Sequence, residues 1–324
     1  MITMSHRVVS ALVAVTAAIV SASLPAAAAE KLKVAAAFGT IWTSAQPTFC
    51  KNRGEFTKSD LDVDVLTTRG GSETVQAVIT GGADIGYGPG ANAVIAASLQ
   101  GAKIKIVSGY FNGQSDSFFY VPVNSQIKGV EDLQGKTVAF SRPGSVSEQI
   151  LLMLKKERNL EFKMVSGGAL DAIFTMTMTR QIDVGYSIPP SVLDVVEKGQ
   201  ARVLFSGDVI PSLRNITSRV TIARDDFIQR RRPVAAKFLQ VLKHCIDWMY
   251  ANLPAAAQMY ATLNKVSDTV ATRAIEFYPK EAMSFSPILG FRESLQDALD
   301  TKFIDRMPTD EQINNMLDII DIPK

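Results

Sequence analysis

The chain has 324 residues, of which 34 are basic and 32 are acidic, and 47% of its residues are hydrophobic. A net charge of +2 argues against a nucleic-acid binder, because phosphate recognition needs an excess of basic side chains. The length is sufficient for two domains of ordinary size, each with its own core.

The first 29 residues are typical of a secretory signal peptide. Arg7 is the only Lys, Arg, Asp or Glu among them, an apolar run spans 8–20, and Ala27–Ala29 supply a small-residue cleavage site. The apolar run is shorter than the ~20 residues that cross a bilayer, which disfavours the alternative of a membrane anchor. We therefore expect residues 1–29 to be removed, a mature N-terminus at Glu30 and a periplasmic location.

Strand and helix patterns alternate from residue 32 onward. The predicted elements are a strand at 32–38, a helix at 42–53, a strand at 61–67, a helix at 72–80, a strand at 83–87, a helix at 90–99 and a strand at 104–110. Such alternation predicts a mainly parallel sheet with helices on both faces.

A short phrase occurs twice, 99 residues apart. Asp84–Tyr87 reads Asp-Ile-Gly-Tyr, Asp183–Tyr186 reads Asp-Val-Gly-Tyr, and a Gly-Gly pair precedes each. The spacing exceeds the roughly 20–50 residues of a solenoid repeat and therefore indicates two similar α/β lobes. The second series is a strand at 136–141, a helix at 145–158, a strand at 162–166, a helix at 170–179, a strand at 182–186, a helix at 189–198 and a strand at 201–205. Small molecules commonly bind in the cleft between two such lobes.

Two β-rich segments, 117–123 and 218–223, flank the second series and are predicted to carry the chain between the lobes. Helices are predicted after them at 233–251, 255–263, 267–277, 291–302 and 309–319. We expect residues 30–117 to form the first part of lobe one and residues 118–220 to form lobe two. Residues 221–324 are expected to return to lobe one and end in a helical tail packed on it.

The two cysteines, Cys50 and Cys245, leave two interpretations open. Export to an oxidising compartment permits a disulfide between them. Cys245, however, lies on a helical apolar stripe, which is typical of a buried, unbridged thiol.

Several segments occur together in a fixed order along the chain: Gly54-Glu55-Phe56, Gly70-Gly71-Ser72-Glu73, Gly82–Gly86, Leu133–Ala139 and Gly144-Ser145. In them the chain resembles the periplasmic solute-binding proteins of ABC importers, in the branch that binds nitrate, sulfonates, taurine and thiamine precursors. The resemblance implies an α/β, two-lobed periplasmic-binding-protein fold of type II, with a helical C-terminal extension on lobe one. It also implies a small-molecule solute, an inner-membrane ABC permease as partner and a monomer, with no cofactor and no nucleic acid.

Ligands of parallel α/β sheets bind at the carboxyl ends of the strands, where helix N-termini direct their free N–H groups. The candidate solute-binding residues at such positions are Phe38, Trp42, Gly71, Ser72, Gly88, Pro89, Asn92, Asn112, Ser117, Arg142, Gly144, Ser145, Tyr186 and Ser187. Converging N–H donors at the glycines favour an anionic group such as sulfonate or carboxylate.

Arg142 is the main candidate for a charged contact, because it follows a strand and its planar guanidinium suits a carboxylate or sulfonate. A solvated surface arginine is the alternative. Ser145 and Glu148 form a Ser-x-x-Glu capping box, so the Ser145 hydroxyl is open to a cap or to the ligand. Phe38 and Trp42 are expected to form an aromatic wall, which favours an organic solute over nitrate.

Catalysis finds little support in the sequence. The expected mature chain has one histidine, His244, inside a predicted amphipathic helix, and it has no Cys/His cluster with zinc-ligand spacing. Neither a nucleophile elbow nor a phosphate-binding loop occurs. We expect a binding protein for a small organic anion, without catalytic residues or bound metal. The alternative is a thiamine-pyrimidine-synthase-like enzyme or a pyrimidine-binding protein. Enzymes that resemble these synthases need a site histidine and a cysteine-rich metal motif, and this sequence has neither at a matching position.

Overall fold

The structure is a computed structural model that describes residues 29–322, so the predicted signal peptide lies, except for Ala29, outside the described residues. Its strands are β1 Glu30–Ala37, β2 Leu61–Thr68, β3 Ile85–Gly90, β4 Ile104–Asn112, β5 Phe118–Pro122, β6 Thr137–Phe140, β7 Lys163–Ser166, β8 Gly185–Ser187, β9 Ala201–Ser206 and β10 Thr217–Arg224. Its helices are α1 Gln46–Asn52, α2 Gly71–Ile79, α3 Ala91–Leu99, α4 Val146–Arg158, α5 Leu170–Met178, α6 Leu193–Glu197, α7 Asp225–Ala251, α8 Leu253–Asn264, α9 Asp268–Glu276, α10 Phe291–Asp300 and α11 Asp310–Met316. No helix in this part of the chain is long and apolar enough to cross a membrane.

The first sheet has the strand order β2-β1-β3-β10-β4. Strand β1 pairs in parallel with β2 and β3, whereas β10 is antiparallel to both β3 and β4. Strand β2 buries Leu61 and Val63 and exposes Asp62 and Asp64, as its alternating pattern predicts. This sheet with its helices is called lobe one below.

The second sheet repeats the same order. Strands β8, β5 and β9 form an antiparallel set and β6 pairs in parallel with β7. A parallel bridge between Val138 and Val184 joins the two sets into β7-β6-β8-β5-β9, which we call lobe two. In each lobe four strands run one way, and the strand that arrives from the other lobe, β10 or β5, runs the opposite way. The prediction of a two-lobed α/β fold is confirmed. Half of the strand pairs in each sheet are antiparallel, because β10 or β5 is inserted between two strands that run the other way.

The repeated phrase has the same structural role in both lobes. The carboxylate of Asp84 accepts a hydrogen bond from the backbone N–H of Lys33 at 2.9 Å, and that of Asp183 accepts one from Thr137 at 2.8 Å. A Cβ on Gly86 would lie 2.8 Å from Ile222 on the crossing strand. In lobe two, a Cβ on Gly185 would lie 2.5 Å from Tyr120 on β5. Each Asp thus fixes the neighbouring strand, and each Gly admits the crossing strand.

Helix α7 of the tail packs on lobe one through α1. Cys50 and Cys245 form a disulfide with their Cα atoms 6.0 Å apart, which resolves the two interpretations in favour of the bridge. Helix α7 begins eight residues earlier than predicted, and non-helical dihedrals at Arg231 mark a kink just before Pro233. Proline removes a backbone donor and its ring clashes with the preceding turn, which accounts for the break.

The tail also reaches lobe two, which the sequence analysis did not anticipate. Arg273 of α9 forms an ion pair with Glu197 of α6. The Tyr278 hydroxyl donates to the carbonyl oxygen of Pro189 at 3.1 Å, and the Phe277 and Phe118 rings lie 5.8 Å apart. The tail therefore closes one side of the region between the lobes.

Candidate functional site

The lobes touch at the carboxyl ends of their strands. The Ser72 hydroxyl, at the start of α2, donates to the Pro143 carbonyl oxygen of lobe two at 3.0 Å. A Cβ on Gly90, just before α3, would lie 3.1 Å from the Val146 side chain at the start of α4. The N-termini of α2, α3 and α4 therefore face one another across this contact, which we call the lobe boundary.

A buried ion pair joins the two segments that connect the lobes. Arg219 lies on β10, and Asp116 lies between β4 and β5. Nη2 of Arg219 donates to Oδ1 of Asp116 at 2.9 Å, and Nη1 lies 2.9 Å from Oδ2 without a directed hydrogen bond. The two side chains are only 5% and 0% exposed. Water is therefore excluded from this pair.

Burial and the neighbouring charge shift the pKa values of Asp116 and Arg219 in opposite directions. Burial raises the pKa of the Asp116 carboxyl, and the neighbouring guanidinium works against that rise. For Arg219 burial favours the neutral form, but the Asp116 carboxylate outweighs it and the pKa stays above its ordinary value. Arg219 therefore remains a charged donor at the lobe boundary.

Hydroxyl groups surround the guanidinium. Nη2 of Arg219 also donates to Ser117 Oγ at 3.1 Å, and this oxygen lies 3.4 Å from the Tyr186 hydroxyl of lobe two. Burial raises the pKa of Tyr186, so its phenol stays neutral and can donate a hydrogen bond. We call Arg219, Asp116, Ser117 and Tyr186 the Arg219 cluster.

A second set of hydroxyls lies in lobe one. The Tyr110 hydroxyl lies 3.0 Å from Ser44 Oγ, and its ring packs against Tyr87 with 4.4 Å between centroids. Burial raises the pKa of Tyr110 as well. Gly88 has a φ of +83° here, and a Cβ on it would lie 3.2 Å from Tyr110. Gly88 therefore permits the backbone turn that holds these hydroxyls together.

Several buried amides and hydroxyls have no hydrogen-bond partner within residues 29–322. Both amide atoms of Asn92, whose residue is 4% exposed, are among them. So are both amide atoms of Gln114, in the segment between β4 and β5, and the hydroxyl of Thr43. Buried polar groups are normally hydrogen-bonded, so these groups are available to a bound solute or to water.

The structure brings most of the sequence-predicted residues to the lobe boundary. Ser117 and Tyr186 lie in the Arg219 cluster. A Cβ on Gly144 would lie 3.6 Å from the Ser72 hydroxyl, so these two residues meet across the boundary. Gly71 approaches the β3 end, where a Cβ would lie 3.2 Å from the Pro89 Cα.

Arg142 lies at the edge of the boundary rather than in its buried centre. Its Nη1 is 3.4 Å from Oε2 of Glu73, and the two side chains are 27% and 36% exposed. Ser145 caps α4, since its Oγ accepts from the Glu148 N–H at 3.3 Å. The Glu148 carboxylate accepts from the Gly144 N–H at 2.7 Å, one residue before the predicted capping-box partner. Arg142 and Ser145 therefore both have protein partners.

The expected aromatic wall of Phe38 and Trp42 is corrected by the structure. Trp42 is fully buried, and its Nε1 donates to the Tyr250 hydroxyl at 3.1 Å. Its ring meets that of Tyr260 edge-on, with 5.2 Å between centroids, because the helical tail covers it. The Phe38 ring lies against Gly70 instead.

Two further candidates have local structural partners. Oδ1 of Asn112 accepts from the Thr217 hydroxyl at 2.8 Å, which ties the end of β4 to the start of β10. The Ser187 hydroxyl donates to the Ser191 carbonyl oxygen at 3.1 Å. Their side-chain polar atoms are thus engaged within the protein.

Sequence reasoning missed Arg219 and Asp116. The available signal was a charged residue in the middle of an otherwise apolar strand, Ser-Arg-Val-Thr-Ile-Ala at 218–223. Every residue of β10 from Thr217 to Ala223 is buried, Arg219 included. A buried arginine needs a charged partner or ligand, so it is a better candidate for a solute-binding residue than an arginine at an exposed strand end.

Within residues 29–322, no group of three or more His, Cys, Asp or Glu side chains is placed to hold a metal ion.

Two lobes of matching strand order, two crossing segments and a tail packed on lobe one define the type II periplasmic-binding-protein fold. The family model described as NMT1/THI5 like matches residues 47–257, and the chain belongs to this family. The resemblance seen in the sequence is confirmed.

Solved structures share this fold. The alkanesulfonate-binding protein SsuA from Xanthomonas axonopodis pv. citri, bound to MOPS, is 16% identical with a TM-score of 0.75, over 91% of this chain and 100% of that one. The periplasmic nitrate-binding protein NrtA from Synechocystis PCC 6803 is 12% identical with a TM-score of 0.69, over 88% and 84%. In sequence, YtlA of Bacillus subtilis (strain 168), named as a binding protein, is 24% identical over 257 residues, 75% of this chain and 74% of that relative.

Proposed function

We propose that this protein is the extracytoplasmic solute-binding component of an ABC importer. It captures a small organic solute that bears a sulfonate or carboxylate group between its lobes and delivers it to an inner-membrane permease. The observation that carries the proposal is the buried charged donor Arg219, which contacts Ser117 and, through it, Tyr186 of lobe two. Buried polar groups without protein partners within residues 29–322, Asn92 and Gln114 among them, add to it. A solute that fills these hydrogen bonds stabilises the closed lobes.

The proposal extends to organisation and location. Residues 30–117 and 221–324 belong to lobe one, residues 118–220 to lobe two, and β10 at 217–224 is the return strand. The protein acts as a monomer in the periplasm. Relatives of the same fold that are named for alkanesulfonate and nitrate binding support a solute with an acidic group.

We assign binding rather than catalysis to this site. General acid–base catalysis needs a group whose pKa lies near the working pH. Burial moves the pKa of Tyr110 and of Tyr186 upward, and Arg219 stays charged. None of these three side chains therefore suits proton exchange near neutral pH. Burial also raises the pKa of the Asp116 carboxyl, but both of its oxygens face the Arg219 guanidinium, which opposes that rise. We therefore expect the solute to leave the site chemically unchanged.

A thermal-shift screen of the mature protein against organic acids tests the proposal. A ligand at 100-fold above its Kd stabilises the folded state by about 2.7 kcal/mol. We expect a hit that Arg219→Met abolishes and that mass spectrometry recovers intact after incubation. Asp64→Asn is the control, because it removes an exposed carboxylate on β2 that lies outside the Arg219 cluster. A chemically altered ligand would instead indicate the enzyme alternative, and a library without any hit would refute solute binding.

A further inference from the structure

We propose that the solute carries neutral hydroxyl or carboxamide groups beside its acid group, and that the side-chain amides of Asn92 and Gln114 select for these groups. The inference rests on the proposed function, since it specifies the solute class of the same site. It also separates the solute from nitrate and from acids that carry only a plain alkyl chain.

Asn92 lies in the first turn of α3, between two residues that face lobe two. A Cβ on Gly90 would lie 3.1 Å from the Val146 side chain. A Cβ on Gly144 would lie 3.8 Å from the Cβ of Ala93. Asn92 itself is 4% exposed, and neither atom of its amide has a hydrogen-bond partner in the described part of the chain. A buried donor and a buried acceptor without protein partners therefore lie beside the contact between the lobes.

Gln114 lies in the segment between β4 and β5, shortly before Asp116. Its backbone carbonyl oxygen accepts from the N–H of Ser117 at 3.2 Å, which places it next to the Arg219 cluster. A Cβ on Gly207, after β9, would lie 2.5 Å from the Cβ of Gln114, so the side chain is packed against lobe two. Gln114 is 0% exposed, and both of its amide atoms lack a partner among residues 29–322. It therefore provides a second unpartnered amide, close to the charged donor.

The unpartnered atoms include both donors and acceptors. The amides of Asn92 and Gln114 each contribute one nitrogen and one oxygen. Nη1 of Arg219 is a further donor and Oδ2 of Asp116 a further acceptor, because these atoms lie 2.9 Å apart without a directed hydrogen bond. An ionised acid group only accepts hydrogen bonds and an ammonium group only donates them, so neither group satisfies the whole set. Hydroxyl and carboxamide groups donate and accept, and they match it.

The amides discriminate between solutes because an unmade hydrogen bond is costly in a buried site. An alkyl group would leave the amides of Asn92 and Gln114 unpaired after water has been excluded. A hydroxyl or carboxamide group exchanges its hydrogen bonds to water for bonds to these amides. A site that hydrogen-bonds a group of its ligand strongly rejects the analogue that lacks this group. We therefore expect the neutral groups of the solute to determine specificity, while its acid group interacts with charged donors.

Sets of acids with the same number of heavy atoms test the inference, titrated calorimetrically into the mature wild-type protein. Lactate is compared with 2-methylpropanoate, and 4-amino-4-oxobutanoate is compared with 4-methylpentanoate. A third set compares 2-hydroxyethanesulfonate with propane-1-sulfonate and with 2-aminoethanesulfonate. In at least one set we expect the hydroxyl or carboxamide member to bind at least about tenfold more tightly than its alkyl counterpart. The amino member should not bind more tightly than the hydroxyl member.

Asn92→Leu and Gln114→Met separate a specificity role from a structural one, because they remove the amides at similar volume. Each variant should reduce the preference for the hydroxyl or carboxamide member at least about threefold. The urea midpoint of the solute-free protein should stay unchanged or rise, because no hydrogen bond to the protein is lost. Gln100→Met is the matched control, since Gln100 is exposed at the opposite end of α3, and it should leave the preference unchanged. If neither Asn92→Leu nor Gln114→Met folds, the wild-type sets alone decide the question.

Several outcomes overturn the inference. In the wild-type protein these are equal or tighter binding of the alkyl members, and tighter binding of 2-aminoethanesulfonate than of 2-hydroxyethanesulfonate. In the variants they are an unchanged preference in both folded proteins, and a clear loss of stability in both, which would assign the amides a structural role. A protein that binds only the alkyl or amino acids keeps the proposed function and loses this specificity, whereas one that binds no organic acid loses both.

Discussion

At the residue scale, the Arg219–Asp116 pair shows how a buried charge depends on its partner. Each side chain is almost without solvent contact, and each is the main counter-charge of the other. Removing one partner leaves an uncompensated buried charge, whereas removing both leaves an apolar gap that hydrophobic side chains can fill. The pair is therefore expected to matter more for solute binding than for net stability.

We predict that Arg219→Met lowers the free energy of unfolding by about 3–5 kcal/mol, since it leaves Asp116 unpaired. The double variant Arg219→Met/Asp116→Leu should recover most of this loss, and neither variant should bind the solute. Urea denaturation and titration calorimetry measure the two effects. Arg142→Ala is the matched control, with a loss below about 1 kcal/mol because its pair with Glu73 is partly exposed. Equal stability of the single and double Arg219 variants would contradict the account.

At the element scale, the disulfide fixes α7 to α1 across 195 residues of sequence. Phe56 and Phe238 stack beside it with 5.4 Å between their centroids, and the Arg53 guanidinium lies 3.4 Å from the ring centroid of Trp248. A cross-link over such a long loop restricts the unfolded chain considerably. The disulfide is therefore expected to stabilise the attachment of the tail to lobe one.

We predict that Cys50→Ala/Cys245→Ala lowers the free energy of unfolding by about 2–5 kcal/mol, measured by denaturant titration without reductant. Reduced wild-type protein should show a similar loss. Free-thiol titration of denatured, unreduced wild-type protein provides the direct check. Two reactive thiols there would rule out the bridge.

Helix α10 carries a titratable group at its contact with α4. Asp297 faces Lys156 and Glu157 of lobe two, and Asp300 and Glu293 lie on its own helix. Burial raises the pKa of Asp297 from 3.8 to about 6, with Lys156 opposing the rise. The folded protein therefore holds this proton more tightly than the unfolded chain does. The stability it contributes is complete below pH 3.8 and is lost as the pH rises through about 6.

We predict that Asp297→Asn raises the free energy of unfolding at pH 7 by on the order of 2 kcal/mol and flattens its decline between the two pKa values. Urea denaturation at a series of pH values measures both. Asp300→Asn is the contrasting variant, because the hydrogen bond from Lys156 lowers the pKa of Asp300 and its loss should destabilise. An unchanged pH slope in Asp297→Asn would show that another group dominates this range.

At the scale of the whole molecule, contacts between the lobes determine the closed form. Lobe two is tied to lobe one by the Ser72–Pro143 hydrogen bond and to the tail by Lys156–Asp300 and Arg273–Glu197. The two ion pairs are exposed, and each is worth about 0–1 kcal/mol. The lobes can therefore separate at modest cost when the site is empty.

We predict that Lys156→Ala/Arg273→Ala increases the solute-free radius of gyration in solution scattering and weakens solute binding up to about tenfold. Saturating solute should restore the compact profile. Trp42 fluorescence is a poor reporter of this motion, because the tail buries the indole within lobe one. A scattering profile that solute leaves unaltered in both wild type and variant would refute hinge closure.

The signal-peptide prediction is tested on the exported protein. We predict a mature N-terminus at Glu30, because the small residues Ala27–Ala29 suit signal peptidase. Intact-mass measurement of protein recovered from the periplasm checks it. A mass that retains residues 1–29 would show that the segment is not cleaved.

Local patterns along the chain were enough to predict the elements and their order. Hydrophobic periodicity and glycine-containing turns are local signals, so the two α/β series, the crossing segments and the tail helices could be predicted to within a few residues, apart from the starts of α1, α6 and α7. The repeated Asp-Ile/Val-Gly-Tyr phrase indicated two lobes because the same strand contacts recur in each. For the same reason the strand ends placed Ser117 and Tyr186 near the region between the lobes.

Which side chains meet in the region between the lobes depends on contacts between distant parts of the chain. Arg219 and Asp116 are 103 residues apart and become neighbours once lobe two has been built and the chain has returned. Trp42 was expected at the cleft but is covered by tyrosines from the tail more than 200 residues away. Burial and counter-charge depend on such distant contacts, which no local pattern encodes. Secondary structure could therefore be predicted from the sequence, while the chemistry of the site required the fold.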